Sequence, residues 1–507
     1  MIPYSFGSTP FSYQYEAFQM SAEREFFALA MEQGTGKTKV AIDTACHLYC
    51  TGKIEAVIVI APNGVHRDWV RYQFPDHAPD YIDWRGAAFA CSMKAAEKKA
   101  FNHVTGEGRH LRVFTFNVES LSVTRAVDEM RKILQYHKTM LVVDESSRIK
   151  THDSSRTKHL LKLARLAKYR RILNGTPATE GPLDLFAQYL FLSEDIWRSN
   201  SFPAYRARYA ELMPDWHPIR RKIASETGIP ASRLPPMVDI DENGNKKFKN
   251  LDEIKDLIAP HTFRVLKKDC LDLPYKIYKT RSVVMGAEQQ KVYTDLVRRL
   301  KEGPVQDANI KTTIGKMNAV MYLQRIVSGI LPSKVSGESS DRLIVPWNKN
   351  TRVLSVLDEL EGFSGKAIFW CRFTADILLL SSALSSTYGE YSVVTYHGET
   401  SRDDRDDGCL RFQSDPAVRW FIGNSEAGGT GLNLFAATQV HYFSNSFKLI
   451  TRLQSEDRAH RIGQKSGVLY VDYDAAPVDR KLLDALVLKK KLADVLTGDN
   501  FEEWINI

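Results

Sequence analysis

Long hydrophobic runs are missing from this 507-residue chain. A membrane-spanning helix needs about 20 consecutive apolar residues, and the apolar stretches at 57–60 and 377–380 read only as core segments. Residues 1–11 lack a positive region followed by an apolar one, so no secretory signal is expected. Cysteine is scarce, six in all. Cys46 and Cys50 lie one helical turn apart, but no second pair stands at zinc spacing. Free thiols in a reducing, cytoplasmic compartment are the expectation. No repeat or low-complexity tract is seen, and neither charge sign dominates, the net charge being +8. That balance is compatible with a polyanionic partner without indicating one. Hydrophobic content of 43% and charged content of 26% suit a soluble globular protein. The length allows two or three domains with sizeable cores.

What is there begins with Gly34-Thr35-Gly36-Lys37-Thr38, a glycine-rich turn after a short apolar run at 26–31. Glycines let the backbone wrap oxyanions at φ values other residues resist, and the N–H groups of a following helix start point at phosphates. Lys37 would neutralise β/γ-phosphate charge, and the Thr38 hydroxyl would ligate Mg²⁺. The strict phosphate-loop pattern wants glycine where this chain has Met31. A second acidic partner for the metal is expected at the end of another buried strand. The apolar run 140–143 ends in Asp144-Glu145. Asp144 is placed to hold Mg²⁺, and Glu145 to polarise the water that attacks the γ-phosphate. Together the two motifs predict nucleotide hydrolysis with ATP and Mg²⁺ as cofactors.

Two stretches alternate short buried strands with amphipathic helices. This pattern predicts an α/β fold of two domains, each a mainly parallel sheet flanked by helices. Strands are expected at 26–31, 56–60, 113–116, 140–143 and 169–173, then at 366–370, 392–396, 420–423, 439–443 and 468–473. Residues 211–250 differ in texture, being rich in proline and in mixed charge, as an insertion would be. Within them, residues 239–244 copy half of a calcium loop. The twelfth position is Asn250 rather than Glu, and Lys246, Lys247 and Lys249 crowd it, so a hairpin turning at Asn243-Gly244 is preferred.

The most specific string runs from Gln454 to Gln464. If helical, Gln454, Arg458 and Arg461 share a face, and two guanidinium groups there suit a γ-phosphoryl group. Upstream, residues 426–433 form a glycine-dense turn suited to close approach of ligand or nucleic acid.

Taken in order, these motifs resemble those of SWI/SNF-type ATPases of helicase superfamily two. Residues 11–14 resemble the adenine-reading motif, with Gln14 supplying the amide. GTGKT is motif I, 59–63 motif Ia, 114–117 motif Ib, 144–150 motif II and 173–177 motif III. The stretch from 259 to 274 resembles the linker before the second lobe. Residues 396–398 with Arg402 and Arg405, then 428–433 and 454–464, complete the set. The resemblance implies two RecA-like lobes with ATP in the cleft between them: lobe 1 over 1–200, an insertion over 201–258, a linker over 259–285 and lobe 2 over 286–507. It implies catalytic roles for Lys37, Asp144, Glu145, Arg458 and Arg461. Nucleotide contacts are implied for Gln14, Gly34, Thr35, Gly36, Lys37, Thr38, Gly431 and Gln454, and metal contacts for Thr38 and Asp144. Nominated contacts to the nucleic-acid backbone are Asn63, Thr115, Thr176 and Thr430.

Ser147 stands where many members carry His, at the step that signals ATP state to the nucleic-acid groove. The motor and one short insertion use up the chain, which resembles compact phage, bacterial or annealing-type motors. The resulting expectation is a monomeric, DNA-dependent ATPase that translocates on duplex or branched DNA, with replication or recombination proteins as partners and no membrane association. Such an enzyme would serve fork remodelling, annealing or branch migration in a bacterial or phage-infected cell, or in a nucleus. The alternatives are a strand-separating DNA helicase and an ATP-switched DNA-binding scaffold with little turnover. Glu145 and the paired arginines argue against the scaffold.

Overall fold

A computed structural model describes residues 4–63, 65–90, 93, 95–178, 180–241, 246–302, 313–337, 339–426, 432–461 and 463–497. The chain divides into two compact units, the first built mainly from residues up to Leu271 and the second from Asp272–Lys489.

Apolar runs at the expected places form the inner strands of the first unit. Its strands are β1 (Phe26–Met31), β2 (Ala56–Ala61), β3 (Trp84–Ala88), β4 (Leu111–Asn117), β5 (Thr139–Asp144), β6 (Tyr169–Leu173) and β7 (Thr262–Val265). They make one seven-stranded sheet in the order β3-β4-β2-β5-β6-β1-β7, with every pairing parallel. Because side chains alternate across a strand, the sheet feeds two cores. Phe27, Leu29, Met31, Val57 and Val59 face one, and Ala28, Ile58, Ile60, Leu141 and Val143 the other. This order sets the carboxyl ends of β1, β6 and β5 side by side, where ligands of parallel α/β sheets bind.

Residues 201–258 pack within the first unit. The helix Phe202–Tyr209 packs Phe202 edge-on and Tyr205 tilted against Phe186. Beyond it, antiparallel bridges join Ala210 to Phe248, Leu212 to Val238 and Ile240 to Lys246. The turn expected at Asn243-Gly244 lies outside the described residues, but the bridge at Ile240 and Lys246 brackets it.

The second unit holds β8 (Lys276–Ser282), a short antiparallel pair β9 (Ile330–Leu331) and β10 (Arg342–Leu343), then β11 (Lys366–Cys371), β12 (Val393–Tyr396), β13 (Trp420–Asn424), β14 (Ala437–Tyr442) and β15 (Val468–Asp474). Six of these form a parallel sheet in the order β12-β13-β11-β14-β15-β8. The helices Ala287–Glu302 and Thr313–Ser328 pack together in a smaller core around Leu296 and Ile326. The segment 259–285, expected as a linker, therefore also supplies an edge strand to each sheet. Among the described residues no helix is long and apolar enough to cross a membrane.

One buried group makes the second unit sensitive to acid. His441 on β14 is fully buried, its Nδ1 2.9 Å from the Tyr473 hydroxyl and its Nε2 3.0 Å from Gln439 Oε1. Burial pushes the imidazole down to about 3. Between the unfolded value near 6.5 and this one the folded chain binds fewer protons, so stability falls as pH drops. Asp376, raised to about 6 by burial, acts with the opposite sign, so the effect is read by difference. From pH 7 to 5 the wild type is expected to lose about 2 kcal/mol more than a His441→Gln variant in chemical denaturation.

Candidate active site

β1 runs buried from Phe27 to Met31, and the chain then turns through Glu32–Gly36 into the helix Lys37–Cys50. The turn requires left-handed backbone at Gly34 (φ 81°) and Gly36 (φ 82°), where a Cβ would be strained. At Gly36 a Cβ would also collide with the Gln14 amide. Gln14 is buried and props the loop: its Nε2 donates to Thr35 O (2.9 Å), and its Oε1 accepts from Phe11 N (3.0 Å). The Thr35 hydroxyl closes the turn on Glu32 O at 2.7 Å. No side chain caps the helix that follows, which leaves its first N–H groups to an anion. Lys37 is buried and Thr38 half-buried at this helix start.

The edge strand β7 supports the loop from its far side. Glu32 N donates to Val265 O (3.0 Å), and Glu32 Oε2 accepts from Lys267 N (2.8 Å). Arg264 donates to the carbonyls of Ala30 (3.0 Å) and Gly175 (2.9 Å).

At the end of β5, Asp144 is buried with both oxygens oriented. Trp69 Nε1 donates to Oδ2 (3.0 Å), and Glu145 N donates to Oδ1 (3.0 Å). Trp69 opens a five-residue π-helix, Trp69–Gln73, a local widening often found at functional sites. Burial and then the Glu145 charge raise the Asp144 carboxyl to about 6, while the Lys37 ammonium and the two donors pull it back. Glu145 has left-handed backbone (φ 54°, ψ 56°), a conformation costing about 1–3 kcal/mol in a non-glycine residue. Its Oε1 accepts from Gln33 Nε2 at 3.0 Å, whereas its Oε2 is buried with no hydrogen-bond partner.

Motif III lies between these elements because β6 lies between β1 and β5. Asn174 Nδ2 donates to Ser146 Oγ (3.3 Å), and Ser146 Oγ donates to Gln188 Oε1 (2.6 Å). Gln188 Nε2 donates to the carbonyls of Pro177 (2.8 Å) and Asp184 (2.7 Å). Gln33, Trp69 and Gln188 went unnominated in the sequence because their roles depend on contacts between distant segments. Only the position of Gln33 inside the loop offered a signal.

The residues fit ATP and a divalent cation. The uncapped helix start can take phosphate oxygens, Thr38 and Asp144 can hold Mg²⁺, and the unpartnered Glu145 Oε2 is an acceptor awaiting a donor.

In the second unit, the helix Leu449–Glu456 carries Gln454, which is buried. The helix ends there, so the single helical face expected to run through Arg458 and Arg461 is not formed. A turn replaces it, beginning just after Glu456, which joins a buried network with Arg452 (2.9 Å), Lys276 (3.0 Å) and the Tyr278 hydroxyl (2.8 Å). Arg452 also grips Asp472 at 2.6 and 2.8 Å. The turn still brings the arginines together: Arg458 (3.1 Å) and Arg461 (3.2 Å) both donate to Leu432 O. Gln464 secures the turn, donating to the carbonyls of Phe435 and Ala437 at 2.9 Å each. Its Oε1 accepts from Lys465 N (2.9 Å) and Ser466 N (3.1 Å). Arg405 donates to Thr400 O (2.8 Å) and Gly398 O (3.2 Å). Thr430 and Gly431, and the Arg402 side chain, lie outside the described residues.

Residues 19–335 match the SNF2-related domain family, and residues 348–463 match the helicase conserved C-terminal domain. The chain belongs to the SNF2-related family of superfamily-two ATPases. The transcription regulatory protein SNF2 of Saccharomyces cerevisiae is 24% identical over 457 residues, covering 87% of this chain and 24% of its own length. The putative ATP-dependent helicase/translocase YwqA of Bacillus subtilis is 23% identical over 493 residues, covering 94% of this chain and 47% of its own. The chain thus spans less than half the length of these relatives. A solved SWI2/SNF2 ATPase core of Sulfolobus solfataricus in complex with dsDNA aligns over 98% of this chain and 95% of that one, with 21% identity and a TM-score of 0.41.

The residues nominated for nucleic-acid contact in this SNF2-related chain differ in access. Asn63 is exposed, and Thr176 is half-buried with its N–H held by Asn174 Oδ1 at 2.9 Å. Thr115 is corrected: it lies inside β4 with no exposure, between β2 and β3, so its side chain cannot touch a macromolecule.

Proposed function

We propose that this chain hydrolyses ATP with Mg²⁺ and uses the energy to translocate on duplex or branched DNA, as in fork remodelling, annealing or branch migration. The carrying observation is the first-unit site, in which Lys37 follows β1, Asp144 ends β5 and Glu145 follows it, with β6 between the two strands, and Glu145 Oε2 is left free. In this reading the loop N–H groups and Lys37 bind the β- and γ-phosphates, and Thr38 and Asp144 hold the cation. Bound there, Mg²⁺ neutralises charge on the phosphate oxygens. Glu145 accepts a proton from the attacking water, and Arg458 and Arg461 stabilise charge on the transferring γ-phosphoryl group. Relatives named as DNA helicase or translocase support DNA as the track.

The test is steady-state ATP turnover with single-stranded, duplex, forked and four-way DNA, and with RNA. Turnover should rise most with duplex or branched DNA, and the stimulation should weaken steeply with salt, since backbone contacts release counterions. Equal stimulation by RNA, or none by any polynucleotide, overturns the DNA reading. A triplex-displacement assay beside a strand-displacement assay separates translocation from unwinding.

A further inference from the structure

Glu145 reaches its place by an unusual route. Its left-handed backbone (φ 54°) follows β5 directly, so regular secondary structure does not fix the direction of its side chain. Its carboxylate has two oxygens in unequal settings: Oε1 accepts the Gln33 amide at 3.0 Å, and Oε2 is buried without a partner. Gln33 is itself confined. It is 9% exposed, and the motif III backbone lies flat against it. A Cβ at Gly175 would come within 3.0 Å of Gln33 N and 3.1 Å of its Cγ. Gly175 is fixed in turn through its carbonyl by Arg264. Gln33 thus meets the phosphate loop, motif II and motif III at one point.

We propose that Gln33 is a positioning residue for the hydrolytic base. It occupies Oε1 with a neutral donor, fixes the carboxylate rotation and presents Oε2 as the free acceptor for water. A carboxylate whose two oxygens were both free would rotate, and its terminal torsion is broad and soft. A hydrogen bond to a charged group removes that freedom and is among the stronger ones a neutral side chain can make. This assignment rests on the hydrolytic reading above. Gln33 acts through Glu145, so its loss should affect the chemical step rather than ATP binding.

The experiment compares full-length wild type, Gln33→Met, Gln33→Ala, Glu145→Gln and the Gln33→Met/Glu145→Gln double variant. Met keeps the length of the side chain and removes the N–H donor. Turnover with DNA present should fall about ten- to a hundredfold in Gln33→Met, with KM for ATP and affinity for a non-hydrolysable ATP analogue unchanged. In the Glu145→Gln background, Gln33→Met should cause no further loss in single-turnover hydrolysis, because the oriented base is already gone. Wild-type turnover in Gln33→Met, a matching loss of analogue affinity in both Gln33 variants, or multiplicative losses in the double variant would each overturn the assignment. Absence of turnover in the wild type itself would instead count against the hydrolytic reading.

Discussion

Glu145→Gln is expected to lower ATP turnover by about 10²- to 10⁴-fold, the usual worth of a positioned general base. Nucleotide and DNA binding should persist. The substitution keeps the side-chain volume and can keep the Gln33 contact through its carbonyl oxygen, so the loop should remain folded. What disappears is the basic oxygen at Oε2. Lys37→Ala should abolish turnover by a different route, removing the ammonium that would meet the phosphates and that favours the charged Asp144 carboxylate, and it should weaken ATP binding as well. The pair is read by ATP hydrolysis beside analogue binding and DNA mobility shift. Turnover retained in either variant would refute the assignment of the first-unit site.

Arg458→Ala should cut turnover by about 10³- to 10⁵-fold, the range seen for arginines that act on transition-state charge. ATP affinity should change far less, because the charge that the guanidinium neutralises peaks in the transition state. On that proposed role, the local order around Arg458 predicts a large effect. Arg458 and Arg461 converge on one carbonyl, and the turn beneath them is held by the network of Arg452, Glu456 and Asp472. Losing Arg458 therefore removes a prepared cation rather than a mobile one. Equal losses in turnover and ATP affinity would identify Arg458 as a binding residue instead.

Much of this architecture was legible because the inner strands of parallel sheets are covered on both faces and read as continuous apolar runs. The runs at 140–143 and 366–370 correspond to β5 and β11 almost residue for residue. The overlooked strands are β3, β7 and β8, at the edges of the two large sheets, and the two-residue strands of the pair β9 and β10. At the sheet edges one side of the ladder is unpaired, and residues such as Arg85, Arg264 and Lys276 interrupt the apolar pattern. At the candidate site, Lys37, Asp144 and Glu145 could be nominated because their chemistry is local to short motifs. Gln33, Trp69 and Gln188 act across 112, 75 and 42 positions of sequence, a separation no local pattern records. Helical spacing also misled at Arg458 and Arg461, where the helix ends at Glu456 and a turn does the gathering.

The edge strand β7 has a mechanical consequence. It is the last piece of the first sheet before the chain passes at Asp272 into the second unit, and Val265 at its end, with Lys267 just after it, is bonded to Glu32, the opening residue of the phosphate turn. Displacing this edge strand would therefore disturb the opening of the phosphate turn directly, without passing through the interior of the sheet.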